Sequence, residues 1–199
     1  MAQLTLDEFL RLSRSSKRVS VFQEFKNYDI EAVEVFKLFK SLYKDAVILE
    51  SLGTQDFSRY SFIAFDTMAS LQARGREVSQ QIADEHHYYQ MSPFSALRTM
   101  IAKMDCASHR HLDFNGSIIG FVSYDAVRLF EDIHQSHHAT DLPDCIFNFY
   151  RSSLRFDQKN KQLLISTIVD VGETPPEDYH KAQTKITTLI TKIKPLVSV

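Results

Sequence analysis

Glu50 and Ser51 are the pair in this sequence best suited to hold a small polar ligand. Glu50 closes a short apolar run, residues 46–49, and Ser51 opens a polar stretch that runs to Ser58. A carboxylate at such a corner can pair with an ammonium group, and a hydroxyl can both donate and accept. Those are the groups that would meet the backbone end of a free amino acid. A plainer arrangement uses the same residues. Glu50 pairs with Arg59 across adjacent strands, and Ser51 caps a turn.

Other groups of reactive type have simpler readings. Asp125 and Arg128 lie three residues apart, as do Arg128 and Glu131. If Tyr124 opens a helical turn, these form a charge ladder rather than a catalytic set. The histidines come as His86-His87, His109 with His111, and His134 with His137-His138. They sit in polar stretches without the paired cysteines of structural zinc sites. Ser61 and Ser123 lack the glycines that flank a nucleophile elbow. No phosphate-binding or dinucleotide glycine pattern is present. Cys106 and Cys145 are too few for a disulfide framework and read as inert thiols of a reducing cytosol.

The elements that must position these residues follow from patterning. Thr5 and Glu8 form a capping box, so a helix with Leu6, Phe9 and Leu10 inward runs to about Ser15. Residues 18–25 alternate as a strand, with Val19, Val21 and Phe25 on one face. Asp29 caps a helix to about Tyr43, with Ala32, Val35, Phe36, Phe39, Leu42 and Tyr43 on one side. Strands follow at 46–50 and 59–65, then a hairpin over 68–79 turning at Gly75. A polar, histidine-bearing stretch leads to Met91. Ser92-Pro93 starts a helix whose buried stripe is Phe94, Leu97, Ile101 and Met104. Residues 116–122 form an apolar strand fit for burial on both faces. Residues 132–144 form a surface loop. Residues 145–156 and 162–169 make a hairpin. A final helix opens at Thr174-Pro175 with Tyr179, Ala182, Ile186, Leu189 and Ile193 inward. Helices alternate with hairpins rather than regular crossovers, which predicts an α+β fold with largely antiparallel sheets and flanking helices.

Bulk properties narrow the classes. Of 199 residues, 44% are apolar, so the chain can build a core. A net charge of −2 and no Lys/Arg cluster argue against nucleic acid as a partner. The apolar runs are strand-length, which argues against a membrane span. The N-terminus has no basic segment followed by an apolar core. The expected location is the cytoplasm.

Several motifs, in order, resemble one family. Val19-Ser20-Val21-Phe22-Gln23-Glu24, Ile48-Leu49-Glu50-Ser51, Arg59-Tyr60-Ser61-Phe62-Ile63, the run from Gly116 through Tyr124-Asp125 to Arg128 and Glu131, and Leu142-Pro143-Asp144 with the Phe156-Asp157 hairpin recur at matching spacing. Each is short; together they resemble the N-terminal region of the large subunit (component I) of anthranilate synthase, a chorismate-utilising enzyme. The departures are Ser20 and Thr67, where the family carries proline, and Ala64, where it carries glycine.

The resemblance implies a fold that is part of a four-layer α/β/β/α architecture. It implies that residues 1–199 form the N-terminal domain and that the catalytic, chorismate-binding region is a separate, C-terminal one, absent here. In the complete enzyme, a lyase of tryptophan biosynthesis, that region uses magnesium. A glutamine amidotransferase subunit is a further partner. This chain would carry no catalytic residue and no cofactor. Glu50 and Ser51 match the family motif that lines the allosteric feedback site for L-tryptophan. Two other readings share the same residues. One is the corresponding region of aminodeoxychorismate synthase component I, of the folate pathway. The other is a free-standing, non-catalytic module that binds an amino acid or a partner chain.

Overall fold

The computed structural model describes residues 2–51, 59–107, 118–132 and 142–196. The chain divides into two compact units. The first comprises Met1–Asp66, Asp105–Ser117 and Arg151–Val199, and the second Thr67–Met104 and Ile118–Tyr150.

In the first unit, helix α1 (Leu6–Ser13) starts from the capping box the sequence predicts. The Glu8 amide donates to Thr5 Oγ1 at 3.3 Å, and the Thr5 amide donates to Glu8 Oε2 at 3.2 Å. Strand β1 (Arg18–Lys26) pairs antiparallel with β9 (Gln162–Asp170) along its whole length, from Arg18 opposite Asp170 to Lys26 opposite Gln162. Helix α2 (Ala32–Leu42) begins later than expected. Glu31 holds its N-cap position, and the Asp29 carboxylate instead accepts from Lys161 Nζ at 2.6 Å. Strand β2 (Val47–Leu49) pairs antiparallel with β3 (Tyr60–Arg74), with Leu49 opposite Phe62. Strand β8 (Cys145–Asp157) pairs with β9, and the two-residue β6 (Cys106–Ala107) runs parallel to β1. Helix α4 (Pro175–Ile193) carries Pro175 at its first position and Glu177 and Asp178 in its first turn, where the helix dipole favours acids.

The helices cover one face of this sheet. Phe9, Val21, Phe39, Phe65, Leu154 and Ile186 lie in one buried cluster. The α4 contribution, spaced at three and four residues, ends in the Tyr179 hydroxyl, which donates to the Leu4 carbonyl at 2.8 Å. Two buried hydroxyl pairs cross from β8 to β9, Ser152 with Thr167 at 3.0 Å and Ser153 with Ser166 at 2.7 Å. Each satisfies groups that would otherwise be costly to bury.

The second unit is a meander of the later part of β3 with β4 (Glu77–Ile82) and β5 (Glu85–Gln90), backed by helix α3 (Pro93–Met104). Gly75, at φ +54°, makes the predicted turn; its amide donates to the Asp144 carboxylate. Strand β7 (Ile118–Val122) pairs with the start of β8. Here Gly120 is required: a Cβ would overlap the Ile146 carbonyl and lie 2.9 Å from Phe147 Cα.

Several expectations need correction. Residues 59–65 and 68–73 are one strand, not two, because Asp66 takes a left-handed φ of +67° and lets β3 continue. Asp tolerates that region better than most residues. The polar stretch before Met91 is β5, since a strand at a sheet edge can be polar on its exposed side. On α3 the buried stripe is Pro93, Ala96, Met100 and Met104, while Ile101 is exposed; the expected stripe is rotated by one residue over its first three members. Leu42 of α2 is exposed as well. Strand β7, by contrast, leaves Phe121 45% and Val122 48% exposed, the uncovered apolar face that its two-sided apolar pattern predicts for this chain taken alone. Helix α1 ends at Ser13, before Ser15. Residues 52–58 and most of the predicted loop at 132–144 lie outside the described residues. The α+β class, the antiparallel pairing and the flanking helices stand as expected.

One carboxylate joins the start of β3 to the β8–β9 turn. Asp157, 6% exposed, accepts from Arg59 Nε at 3.0 Å, from the Asn160 amide at 3.0 Å and from Asn160 Nδ2 at 3.0 Å. Burial raises its carboxyl group, but the hydrogen bonds from Arg59 and Asn160 and the Arg59 charge outweigh burial and hold it below the ordinary carboxylate value. A depressed folded-state value means stability that is present above the unfolded value, near ~3.9, and lost as pH falls through the folded one. Asp157→Ala should therefore cost about 1.5–3 kcal/mol at neutral pH, the range for hydrogen bonds to a charged group. In urea titrations, the gap between wild type and variant should close as pH drops below about 4. A gap that stays constant with pH would assign the loss to packing instead.

Candidate functional site

The structure places Glu50 immediately beyond β2, exposed, and Ser51 next to it, half-buried. The ladder between β2 and β3 stops at Leu49 and Phe62. Glu50 and Ser61 would be the next pair in that register. Instead the Ser51 amide donates to Ser61 Oγ at 3.2 Å, and Ser61 is 1% exposed. A side-chain hydroxyl thus takes over where the main-chain ladder ends. Further along the Ser61 side of β3, Ile63 and Phe65 are fully buried, and Phe65 packs 4.7 Å from Phe39 of α2 and 4.6 Å from Tyr43, which ends that helix.

The plainer pairing of Glu50 with Arg59 does not form. Arg59 is engaged by Asp157 and lies 4.8 Å over the Tyr60 ring, which Arg155 also approaches at 5.3 Å. No ion pair to Glu50 is present among the described residues. Its carboxylate faces solvent beside a hydroxyl, on a backbone held by one part-buried hydrogen bond. Such a ledge can take an ammonium group in a charge-assisted hydrogen bond. Sequence reasoning singled out Glu50 and Ser51 but overlooked Ser61 as their support. The available signal was a serine among apolar residues on a strand face otherwise bound for the core.

The remaining candidates resolve into structural parts. Tyr124–Leu129 is a 3-10 turn, and Arg128 reaches Asp125 at 2.8 Å, as the charge ladder predicts; its second rung to Glu131 is not made. His86 and His87 lie on β5, and His87 meets Glu85 at 3.3 Å. The other histidines of the predicted groups, at 109, 111, 134, 137 and 138, lie outside the described residues, as do Gly53 and Gly116. Burial pushes the Cys106 thiol up to about 11, and burial followed by the Asp144 charge raises Cys145, so neither is a ready nucleophile. Ser123 Oγ is buried without a hydrogen-bond partner among the described residues, and its amide donates to the Asp144 carbonyl at 2.7 Å.

Among the described residues no three of His, Cys, Asp and Glu converge as metal ligands would. The magnesium that the resemblance implies for the complete enzyme therefore finds no fitting donor set in them. A groove of about 390 Å³ lies on the β3–β5 sheet, lined by Gln72, Arg74, Glu77, Ser79 and Tyr88 among others, and another follows the outer side of α4. Neither is lined by Glu50 or Ser51. No helix among the described residues is long and apolar enough to cross a membrane.

Comparison with known proteins bears on the corner and the fold together. The chain is 32% identical over 129 residues to anthranilate synthase component 1 of Methanothermobacter marburgensis, a match covering 64% of this chain and 27% of that protein. It is 24% identical over 148 residues to aminodeoxychorismate synthase component 1 of Bacillus subtilis, covering 73% of this chain and 31% of that one. The chain thus spans roughly a quarter to a third of these relatives. The crystal structure of anthranilate synthase component I from Streptococcus pneumoniae TIGR4 superposes with a TM-score of 0.51 at 22% identity, over 85% of this chain and 37% of that one. That likeness is one of fold: mixed α+β, antiparallel pairing, flanking helices. The model of the chorismate binding enzymes matches residues 44–198, a stretch that includes β2, Glu50, Ser51 and everything from β3 to α4. The chain belongs to the chorismate binding enzyme family.

Proposed function

We propose that this chain is part of an anthranilate synthase component 1-like enzyme and forms one side of its L-tryptophan feedback site. Glu50 takes the ammonium group of the inhibitor, and Ser51 borders the pocket. On this reading, chorismate is converted by a catalytic region acting in cis or in trans, with magnesium, in the cytoplasm. Ammonia reaches that region from a glutamine amidotransferase subunit.

The observation that carries the reading is the exposed Glu50 carboxylate, which has no ion-pair partner among the described residues. Arg59, the partner that a plainer arrangement would give it, is bound by Asp157 instead. The wider set of relatives supports the tryptophan branch, since anthranilate synthases from Methanothermobacter thermautotrophicus and Leptospira biflexa each match at 28% identity. The aminodeoxychorismate synthase of Bacillus subtilis keeps the folate branch as the second reading. Product identity from the assembled enzyme separates the two: anthranilate supports the first and aminodeoxychorismate the second.

Given chorismate, magnesium and ammonia, the 199-residue chain alone should make no anthranilate. Anthranilate emission above a protein-free control, retained through further purification, would place catalysis in this chain and overturn that division of labour.

The ligand side is open to direct observation. The chain contains no tryptophan, so indole emission from added L-tryptophan has no protein background. In an amide-resolved NMR titration, Glu50 and Ser51 should shift together with weak, saturable binding. Glu50→Gln should lower the affinity by about two- to fivefold, the cost of losing a solvent-screened charge pair. Ser51→Phe should block binding sterically. In the assembled enzyme the same Ser51→Phe change should relieve tryptophan inhibition and leave the catalytic rate nearly intact. Equal losses of rate and inhibition would make the corner structural.

A further inference from the structure

Ser61 has a role that nothing in the motif itself assigns. It lies on β3, 1% exposed, with fully buried Ile63 and Phe65 following on the same side of the strand. A hydroxyl there is costly to bury unless it is hydrogen-bonded. The partner it has is the Ser51 amide, at 3.2 Å. Any small apolar residue would fill the same space, so packing does not require a hydroxyl at this position. What the hydroxyl adds is a fixed acceptor one step past the last ladder pair, Leu49 with Phe62.

Resting on the feedback reading above, we propose that Ser61 is the positioning residue of the ligand corner. Its buried hydroxyl pins the Ser51 amide and so sets the direction in which Glu50 and Ser51 face the amino-acid ligand. Without that acceptor the chain beyond Leu49 keeps, among the described residues, the three-residue β2 ladder as its tether, and the Glu50 carboxylate is less well aimed. A ligand then has to order the corner as it binds, and affinity falls. Ser61 acts through Ser51 and Glu50 and touches no ligand itself. The strand further along stays in place, because Phe65 is held independently by Phe39 and Tyr43.

The test uses the full chain with L-tryptophan as the probe, in four forms: wild type, Ser61→Ala, Ser61→Thr and Ser51→Phe. Hydrogen exchange at the Ser51 amide, tryptophan affinity and the urea midpoint are measured on each. Ser61→Ala should speed exchange at Ser51, leave the Ile63 and Phe65 amides protected, and weaken tryptophan binding by about tenfold, the size set by one amide–hydroxyl hydrogen bond. Ser61→Thr keeps the acceptor and should restore both exchange and affinity. If Ser61→Ala does not fold, Ser61→Cys, which keeps the size and weakens the acceptor, takes its place. Faster exchange with unchanged affinity would make the bond structural only and overturn the proposal. Unchanged affinity in Ser61→Ala, with binding abolished in Ser51→Phe, would overturn it and leave the feedback reading standing. Wild-type affinity in Ser51→Phe would sink the feedback reading, and this role with it.

Discussion

The Asp157 carboxylate is the constraint on which the first unit depends. It sits at the end of β8, where the chain turns toward β9, and it receives four donors: two from Arg59, one main-chain and one side-chain donor from Asn160. The Asn160 bonds shape the β8–β9 turn. The Arg59 bonds hold the residue that opens β3. One buried charge therefore sets both where β9 starts and where β3 starts. A carboxylate this buried would be a liability if any of those donors were missing. With all of them present it is held ionised, as the direction of its shift shows.

From that point the candidate site follows by register. Arg59 fixes Tyr60, and Tyr60 fixes the alternation that turns Ser61, Ile63 and Phe65 toward α2. The Gln158 amide, donating to the Arg59 carbonyl at 3.1 Å, locks β3 beside β8 at the same level. A slip of one residue would send Ser61 to the opposite face. The Ser51 amide would lose its acceptor, and the core would lose Ile63 and Phe65. The position of a solvent-facing corner thus depends on Arg59, which opens the neighbouring strand, and on its partner at the end of β8.

Much of this was legible in the residues and some was not, for reasons that differ by element. The α1 capping box, the Gly75 turn, the β8–β9 hairpin and the inner face of α4 carry strong local signals, and each formed where its residues placed it. Strand β5 was missed because His86, His87 and Tyr88 have no apolar alternation. Its pairing with β4 comes from the tight turn at Ala83, where φ is +52°, rather than from burial. The α3 stripe was rotated because Ala96 and Met100 pack against the sheet in place of larger neighbours, a choice that shape makes and periodicity does not. At the site, Glu50 and Ser51 were visible as a pair of chemical types. The partner of Arg59 was not, because Asp157 lies 98 residues away along the chain. Sequence proximity favoured Glu50; tertiary structure chose the carboxylate that could be buried and fully bonded.

The exposure of Glu50 has its own physical consequence for how such a corner works. A solvated carboxylate and an ammonium group attract weakly, by about 1 kcal/mol or less, because water screens both. The same two charges attract several times more strongly once a second wall excludes water. A half-site of this kind binds its ligand in proportion to how well it is closed. By linkage, a ligand that favours the closed arrangement stabilises that arrangement by the same amount. On the proposed reading, the exposed carboxylate is therefore suited to coupling an amino acid to the docking of another region. A deeply buried one would bind the amino acid regardless of that docking and would transmit nothing. Ser61 serves the same end: it removes the disorder of the corner beforehand, so the ligand's binding energy is directed to closure rather than to ordering the chain that holds it.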